Sequence, residues 1–246
     1  MTETVTKIAI VTGGSRGIGA AISKRLATDG FAVVINYVGN AEAAGDVVGS
    51  IEKAGGRALA VQGDVSEPVA VRALFDAAEK AFGGVDVVVN SAGILPTAPI
   101  GQATDEDFDR VVAVNLKGTF NGLREAARRM RDGGRIISFS TTVVGTKLEN
   151  YGLYTATKAA VEALTGILAK EMRGRNIAVN AVAPGPVATD MLLAGRTPEM
   201  LEMFAKAAPM ERLGMPNDIA GVVAFLAGPD GGWVNGQTIR VNGGLV

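Results

Sequence analysis

Seven short apolar runs, each set apart from the next by a longer segment, leave this chain few folds to adopt. The runs cover residues 7–12, 32–36, 58–62, 86–90, 135–140, 177–180 and 238–241, and most are rich in Val and Ile. Apolar residues at consecutive positions over so few residues predict strands buried on both faces. Residues 19–29, 41–54, 67–82, 105–131, 153–173 and 217–226 carry apolar residues at helical spacing instead. Such alternation predicts an α/β fold, a doubly wound seven-stranded parallel sheet with right-handed crossovers and helices on both faces. No linker, repeat or low-complexity tract divides residues 1–246, so one domain is expected to carry both binding and chemistry. The irregular stretch is 183–213, with Pro184, Pro186, Pro198 and Pro209. A loop of that length predicts a substrate loop or lid over about 190–213, in which Met191, Met200, Met203, Phe204 and Met210 either face an apolar pocket or pack as ordinary gap fillers.

Composition narrows the chemistry. The chain has no His and no Cys, which excludes a Ser-His-Asp triad, a His-ligated metal, a thiolate nucleophile and a disulfide. General acids and bases are left to Asp, Glu, Lys and Tyr, and no metal is expected. With 24 Lys plus Arg against 25 Asp plus Glu, no excess of positive charge draws the chain to nucleic acid or to an anionic membrane. A small, roughly neutral ligand fits better. Residues 1–7 are polar, the apolar run at 8–12 is too short for a secretion signal, and no uncharged stretch reaches spanning length. A cytoplasmic protein is the expectation.

The first run leads straight into Thr12-Gly-Gly-Ser-Arg-Gly-Ile-Gly19, and a helical segment follows at once. Glycines at such a turn let the backbone approach a pyrophosphate, whose charge meets the unpaired N–H groups and positive dipole end of the helix. Gly13, Ser15, Arg16, Gly17, Ile18 and Gly19 are the candidates. The same turn also serves as a plain strand-to-helix connection. At the end of the second strand, where NAD-binding folds place an acid for the adenosine ribose, this chain has Asn36 and Tyr37. An acid there would repel a 2′-phosphate; its absence, with Arg16 to attract that phosphate and Asn40 close by in sequence, points to NADP, with NADPH preferred over NADH.

The spacing Gly13-x3-Gly17-x-Gly19 resembles the glycine turn of the short-chain dehydrogenase/reductase family. Further residues match that family in chain order: Asp64, Asn90-Ser-Ala-Gly93, Asn115, Tyr154-x3-Lys158, Pro184-Gly185 with Thr189, and Val241-Asn-Gly-Gly244. The resemblance spans nearly the whole chain and implies a single-domain Rossmann fold. It also implies that Asp64 and Val65 contact the adenine, that Asn90, Ser91, Ala92 and Gly93 line the adenosine and ribose, and that Pro184, Gly185, Val187 and Thr189 receive the nicotinamide carboxamide. Read without it, Asp64 caps the helix starting near Glu67 and Pro184-Gly185 is only a turn.

Tyr154 and Lys158 lie four residues apart in a segment free of Pro, so on a helix they share one face. A phenol titrates near ~10 when unperturbed; a neighbouring ammonium and the positive charge of an oxidised nicotinamide are expected to pull it down and favour the phenolate. Tyr151, the nearby rival, has Thr155 rather than a lysine four residues on. The resemblance implies that Tyr154 donates a proton to a developing alkoxide during hydride transfer and that Lys158 bonds a nicotinamide ribose hydroxyl. It further implies that Asn115 holds a water linking the lysine to solvent. The family's serine at the end of the fifth strand has two possible counterparts here, Ser140 and Thr141. Adjacent strand residues point to opposite sides, so only one hydroxyl is expected to face the substrate.

Overall the chain resembles the branch that contains 3-oxoacyl-carrier-protein reductases and trihydroxynaphthalene-reductase-like enzymes. That implies an NADPH-dependent reduction of a ketone or 3-oxoacyl carbonyl, a possible carrier-protein thioester as partner, and a homotetramer. Arg131 and Arg175 stand roughly where basic residues would meet an acidic carrier, although 128–131 also reads as a solvated helix end. The alternative function is a cofactor-sensing protein on the same scaffold without turnover.

Overall fold

The computed structural model describes residues 6–246. In chain order the elements are β1 (Ile8–Thr12), α1 (Gly17–Thr28), β2 (Ala32–Tyr37), α2 (Ala41–Lys53), β3 (Arg57–Gln62), α3 (Pro68–Phe82), β4 (Val87–Asn90), α4 (Asp105–Val111), α5 (Gly118–Arg129), β5 (Arg135–Phe139), α6 (Val143–Thr146), α7 (Gly152–Glu171), β6 (Ala178–Pro184), α8 (Asp190–Leu193), α9 (Pro198–Ala207), α10 (Pro216–Ala227) and β7 (Thr238–Val241). The strands form one seven-stranded sheet in the order β3-β2-β1-β4-β5-β6-β7, and every pairing is parallel. The chain begins in the middle, winds to one edge and crosses back at β4. Loops after β1 and β4 therefore diverge and leave a crevice at the carboxyl ends of the strands, where ligands bind in open α/β sheets. The structure is the Rossmann fold that the alternation predicted. No described helix is long and apolar enough to cross a membrane.

Pleating divides each central strand between two cores. Ala9, Val11, Val33, Ile35, Val87, Val89 and Ile137 pack with Ile22, Leu26, Val47, Ile51, Ile219 and Val223 of α1, α2 and α10. Ile8, Ile10, Val34, Val88, Ile136 and Val179 pack with Val71, Leu74, Phe75, Leu123, Ala126 and Leu168 of α3, α5 and α7. Both faces of the inner strands are thus dry, which is why their sequences read as unbroken apolar runs. Two strands depart from that expectation: β3 and β7, at the sheet's edges, are only part-buried.

The segment 105–131, which reads as a single helix, is three pieces. Between α4 and α5 the residues Val112–Lys117 widen into a π-turn. The added residue shifts the phase of the apolar face and turns Asn115 fully inward. The stretch after β6 contains two short helices, α8 and α9, neither of which buries a residue.

Candidate active site

The turn after β1 is made by two glycines in left-handed conformations, Gly13 (φ 63°) and Gly17 (φ 51°). Gly19 is required by contact: a Cβ there would fall 2.2 Å from the carbonyl oxygen of Gly13. α1 begins with no side-chain cap and no acidic residue in its first turn, whereas Asn40, Thr104 and Thr197 cap α2, α4 and α9. The first N–H groups of α1 are therefore left to an outside acceptor. This donor set, on a left-handed turn at the switch point of the sheet, fits a pyrophosphate. Ser15 and Ile18 are part-buried in the turn and Arg16 is exposed; Arg16 appears in no side-chain hydrogen bond or ion pair among the described residues.

Asn36 has a different part from the one expected beside Arg16. It is fully buried; its Oδ1 accepts from Gly13 N at 3.3 Å and its Nδ2 donates to Gly63 O at 2.8 Å. The carboxamide ties the glycine turn to the loop after β3, and none of it is presented to a phosphate. Asn40 also spends its side-chain oxygen locally, accepting from Ala43 N at 2.9 Å as the cap of α2. Tyr37 ends β2 part-buried.

Asp64 is exposed after β3, and its carboxylate accepts from Ser66 N at 2.8 Å. It shapes the turn ahead of α3, whose cap position is Glu67. Val65 is buried against α5, close enough that a Cβ on Gly118 would sit 2.6 Å from it. After β4, Thr12 Oγ1 accepts from both Ser91 N (3.0 Å) and Ala92 N (3.1 Å), so the two loops that border the crevice are joined at their base. Asn90 is turned inward, with its Nδ2 on Ser138 Oγ at 3.3 Å and its side chain against Gly122 of α5. Ser91, Ala92 and Gly93, which follow it, are part-buried. On the other side Pro184 closes β6, Gly185 N donates to Val241 O at 2.9 Å, and Val187 bridges to Gly214. Thr189 comes back over the glycine turn: its Cγ2 lies 3.3 Å from where a Cβ on Gly17 would be.

Tyr154 and Lys158 share the first turns of α7, as their spacing predicts. Lys158 is only 4% exposed, donates to Phe139 O at 2.8 Å, and has no carboxylate partner among the described ion pairs. Its Nζ lies over the Tyr154 ring, 5.7 Å from the centroid. Burial lowers the Lys158 pKa to about 8. Tyr154 is pushed up to about 12, chiefly by burial, with the Thr141 hydroxyl bond pulling the other way and Tyr151 adding a small rise. The expected drop of the phenol is thus reversed. A cation over the ring face, already bonded to a carbonyl, does little for the phenolate oxygen, and desolvation dominates.

The two candidate hydroxyls separate cleanly. Ser140 Oγ donates to Glu162 Oε1 of α7 at 2.5 Å, while the Thr141 hydroxyl accepts from Val143 N at 3.3 Å and is close enough to the Tyr154 phenol to lower its pKa. Both therefore reach toward α7, against the alternation expected of neighbours on a strand. β5 ends at Phe139, and Thr141 already belongs to the turn into α6, so pleating no longer governs it. Asn115 holds the backbone next to this centre: its Oδ1 accepts from Ile94 N at 2.8 Å and its Nδ2 donates to Ile94 O at 2.9 Å. Oδ1 of Asn115 and Nζ of Lys158 lie 3.3 and 3.6 Å from where a Cβ on Gly93 would be.

Arg131 and Arg175 lie at the opposite end of the sheet, and both are already engaged. Arg131 pairs with Asp86 at 3.3 Å and donates to Gly83 O at 2.7 Å. Arg175 pairs with Asp132 at 2.8 Å and donates to the carbonyls of Ala127 and Met130 at the end of α5. Both guanidiniums are thus engaged with loops and a helix end of this chain. Arg129, read as part of a solvated helix end, instead bridges α5 to Asp76 (2.6 Å) and Glu79 (2.7 Å) of α3. Residues that sequence reasoning passed over are Thr12, whose hydroxyl joins the two loops, and Arg196, which reaches the Tyr151 phenol at 3.0 Å. Thr12 had a signal in its place at the end of the first apolar run; Arg196 had none.

Fold and site together define a dinucleotide-binding oxidoreductase scaffold in which a part-buried phenol and a buried amine meet the crevice at the sheet's switch point. Residues 13–246 match the family model described as Enoyl-(Acyl carrier protein) reductase. A short-chain type dehydrogenase/reductase of Picea abies is 48% identical over 98% of this chain and 92% of its own length. An NADPH-dependent aldehyde reductase-like protein, chloroplastic, of Arabidopsis thaliana is 47% identical over 98% and 94%. The crystal structure of a short chain dehydrogenase from Burkholderia cenocepacia J2315 in complex with NADP superposes with a TM-score of 0.92 at 40% identity, covering 98% of each chain. The chain belongs to the short-chain dehydrogenase/reductase family.

Proposed function

We propose that this protein is an NADPH-dependent carbonyl reductase in which Tyr154 is the proton donor. The observation that carries the reading is the placement of the Tyr154 phenol one helical turn before a buried Lys158, whose Nζ lies over the Tyr154 ring and which has no carboxylate partner among the described residues. When bound, a nicotinamide dinucleotide supplies the hydride. The remaining work falls to residues of this chain. Gly13, Ser15, Gly17, Ile18, Gly19 and the open end of α1 hold the pyrophosphate; Arg16, exposed and facing no carboxylate at residues 36–40, holds the 2′-phosphate. Asp64 and Val65 border the adenine, Ser91, Ala92 and Gly93 the ribose, and Pro184, Gly185, Val187 and Thr189 the nicotinamide side. Asn36 and Asn90 support these loops from beneath.

At the carbonyl, Tyr154 donates its proton to the oxygen as negative charge develops there. A phenol that stays protonated until then is suited to that step, because the alkoxide it meets is far more basic. Thr141 orients the phenol, Lys158 places a cation beside it and offers N–H groups to the ribose, and Asn115 positions the Gly93–Ile94 backbone and a water that links Lys158 to solvent. The names of the Arabidopsis thaliana and Burkholderia cenocepacia relatives support NADPH and an aldehyde or ketone. Part-buried β7 and the almost wholly exposed Trp233 support a homotetramer, and the composition supports a cytoplasmic site of action.

The test is decay of NADPH absorbance with aldehydes, ketones, quinones, 3-oxoacyl thioesters and 2-enoyl thioesters. Tyr154→Phe is expected to lower kcat by about 10²–10⁴-fold with NADPH still bound, and Arg16→Ala to raise KM for NADPH much more than for NADH. Tight NADPH binding with no turnover on any member of the panel would replace the enzyme with a cofactor sensor.

A further inference from the structure

The segment that crosses in front of the crevice carries a cation that the reading above does not use. α8 and α9 bury none of their residues, and Arg196, in the turn between them, is part-buried, as are Leu192 of α8 and Phe204 of α9. Its Nη1 donates to Leu192 O at 2.5 Å and its Nη2 to the Tyr151 hydroxyl at 3.0 Å. The guanidinium lies over the ring of Phe204, 5.7 Å from the centroid. Among the described ion pairs Arg196 has no carboxylate. Of the acids in its own segment, Glu202 is paired with Lys206 at 2.6 Å, and neither Asp190 nor Glu199 is among the described ion pairs of Arg196.

Tyr151 links this cation to the reacting centre. It stands at the start of α7, three residues before Tyr154 and so on the same side of the helix, close enough to raise the Tyr154 pKa. The chain is turned to deliver it: Asn150 sits in the left-handed region (φ 70°), and its carbonyl accepts from Ala98 N at 2.9 Å. An arginine that only closed the end of α8 would need the carbonyls of Met191 and Leu192 and nothing more. Here it also engages the phenol next to the proton donor, and its Nε–H is left without a partner among the described residues. A part-buried guanidinium with a spare donor and no carboxylate partner among the described residues is placed to take an anion.

We propose that Arg196 is a substrate-recognition residue that binds a carboxylate carried by the carbonyl substrate, with Tyr151 orienting the guanidinium. The proposal rests on the reductase reading and narrows it to oxo- and aldehydo-acids. Anion and cation meet in a partly dry setting, where a charge-assisted pair is worth more than at an open surface.

The test compares 2-, 3- and 4-carboxybenzaldehyde with their methyl esters as substrates of the wild-type protein, Arg196→Met and Arg196→Lys, with thermal unfolding as a check on folding. For the best of the three acids, the kcat/KM ratio of acid to ester is expected to fall about 10–100-fold in Arg196→Met, the worth of a hydrogen-bonded charge pair. The loss should appear in KM rather than kcat, and Arg196→Lys should recover part of it. An acid-to-ester ratio that is the same in Arg196→Met as in the wild type for all three isomers would overturn the proposal. If neither acids nor esters turn over, the reductase reading fails instead. Calorimetric titration of the NADPH complex with sodium benzoate then decides the Arg196 site alone: weaker binding in Arg196→Met supports it, and equal or absent binding overturns it.

Discussion

The two ends of the sheet treat charge in opposite ways. At the amino ends of the strands, Arg131, Arg135 and Arg175 bind main-chain carbonyls of the loops there, and Arg131 and Arg175 also meet acids at Asp86 and Asp132. Every such contact closes a loop or a helix end. At the carboxyl ends, Lys158 is buried deeper than any of these arginines and has one carbonyl for company. α1 opens onto the same end without a cap. Paired charge at one end therefore serves stability, and unpaired charge at the other is a cost accepted for chemistry.

The sharpest challenge to this contrast uses the two hydroxyls after β5. Thr141→Val should lower kcat about 10²-fold while leaving NADPH affinity intact, in the range found for removing one donor at a reacting oxygen. Ser140→Ala should act mainly on stability, because its partner is Glu162. Equal kinetic losses from both variants would blur the line between site and support.

A second measurement concerns the cost of the unpaired amine. Lys158 has a folded pKa near 8 against an ordinary value of 10.5, so between these values the folded protein binds fewer protons than the unfolded chain. Its contribution to stability therefore rises with pH across that window; below about pH 8 the full penalty for burying the charge applies. Lys158→Met, which keeps most of the volume, should be more stable than the wild type by about 3 kcal/mol at pH 7. That gain should shrink toward zero by pH 10.5, as read from urea denaturation. A Met variant that is less stable at pH 7 would show that Lys158 is structurally compensated after all.

The smallest expected effect lies at the other end. Arg175→Met should cost about 1–2 kcal/mol of stability through the released carbonyls of Ala127 and Met130, with KM for NADPH unchanged. A selective rise in KM would mean that the two ends are coupled.

Much of this was open to a reader of the chain alone. The seven runs, the helical spacing between them and the glycines at 13, 17 and 19 are local patterns, and each follows from what the backbone can do within a few residues. Tyr154 and Lys158 share a face for the same reason. What the chain could not disclose were contacts between elements distant in sequence. Asn36, read as a cofactor neighbour, proved to be a buried strut because Gly63 lies against it. Arg131 and Arg175 proved to be loop closures, since α5 ends at the far side of the sheet.

The succession of strands and helices along the chain and the residue types available for proton transfer were determined by the sequence, because hydrogen-bonding periods and turn sterics act over short stretches of chain. Tertiary structure alone decided that β1 and β4 border a crevice, that Ser140 bonds Glu162, how far burial moves the phenol and the amine, and that the π-turn carries Asn115 inward. Those outcomes depend on where β5 stops and how closely α7 packs, and desolvation is a property of the assembled site that no single segment possesses.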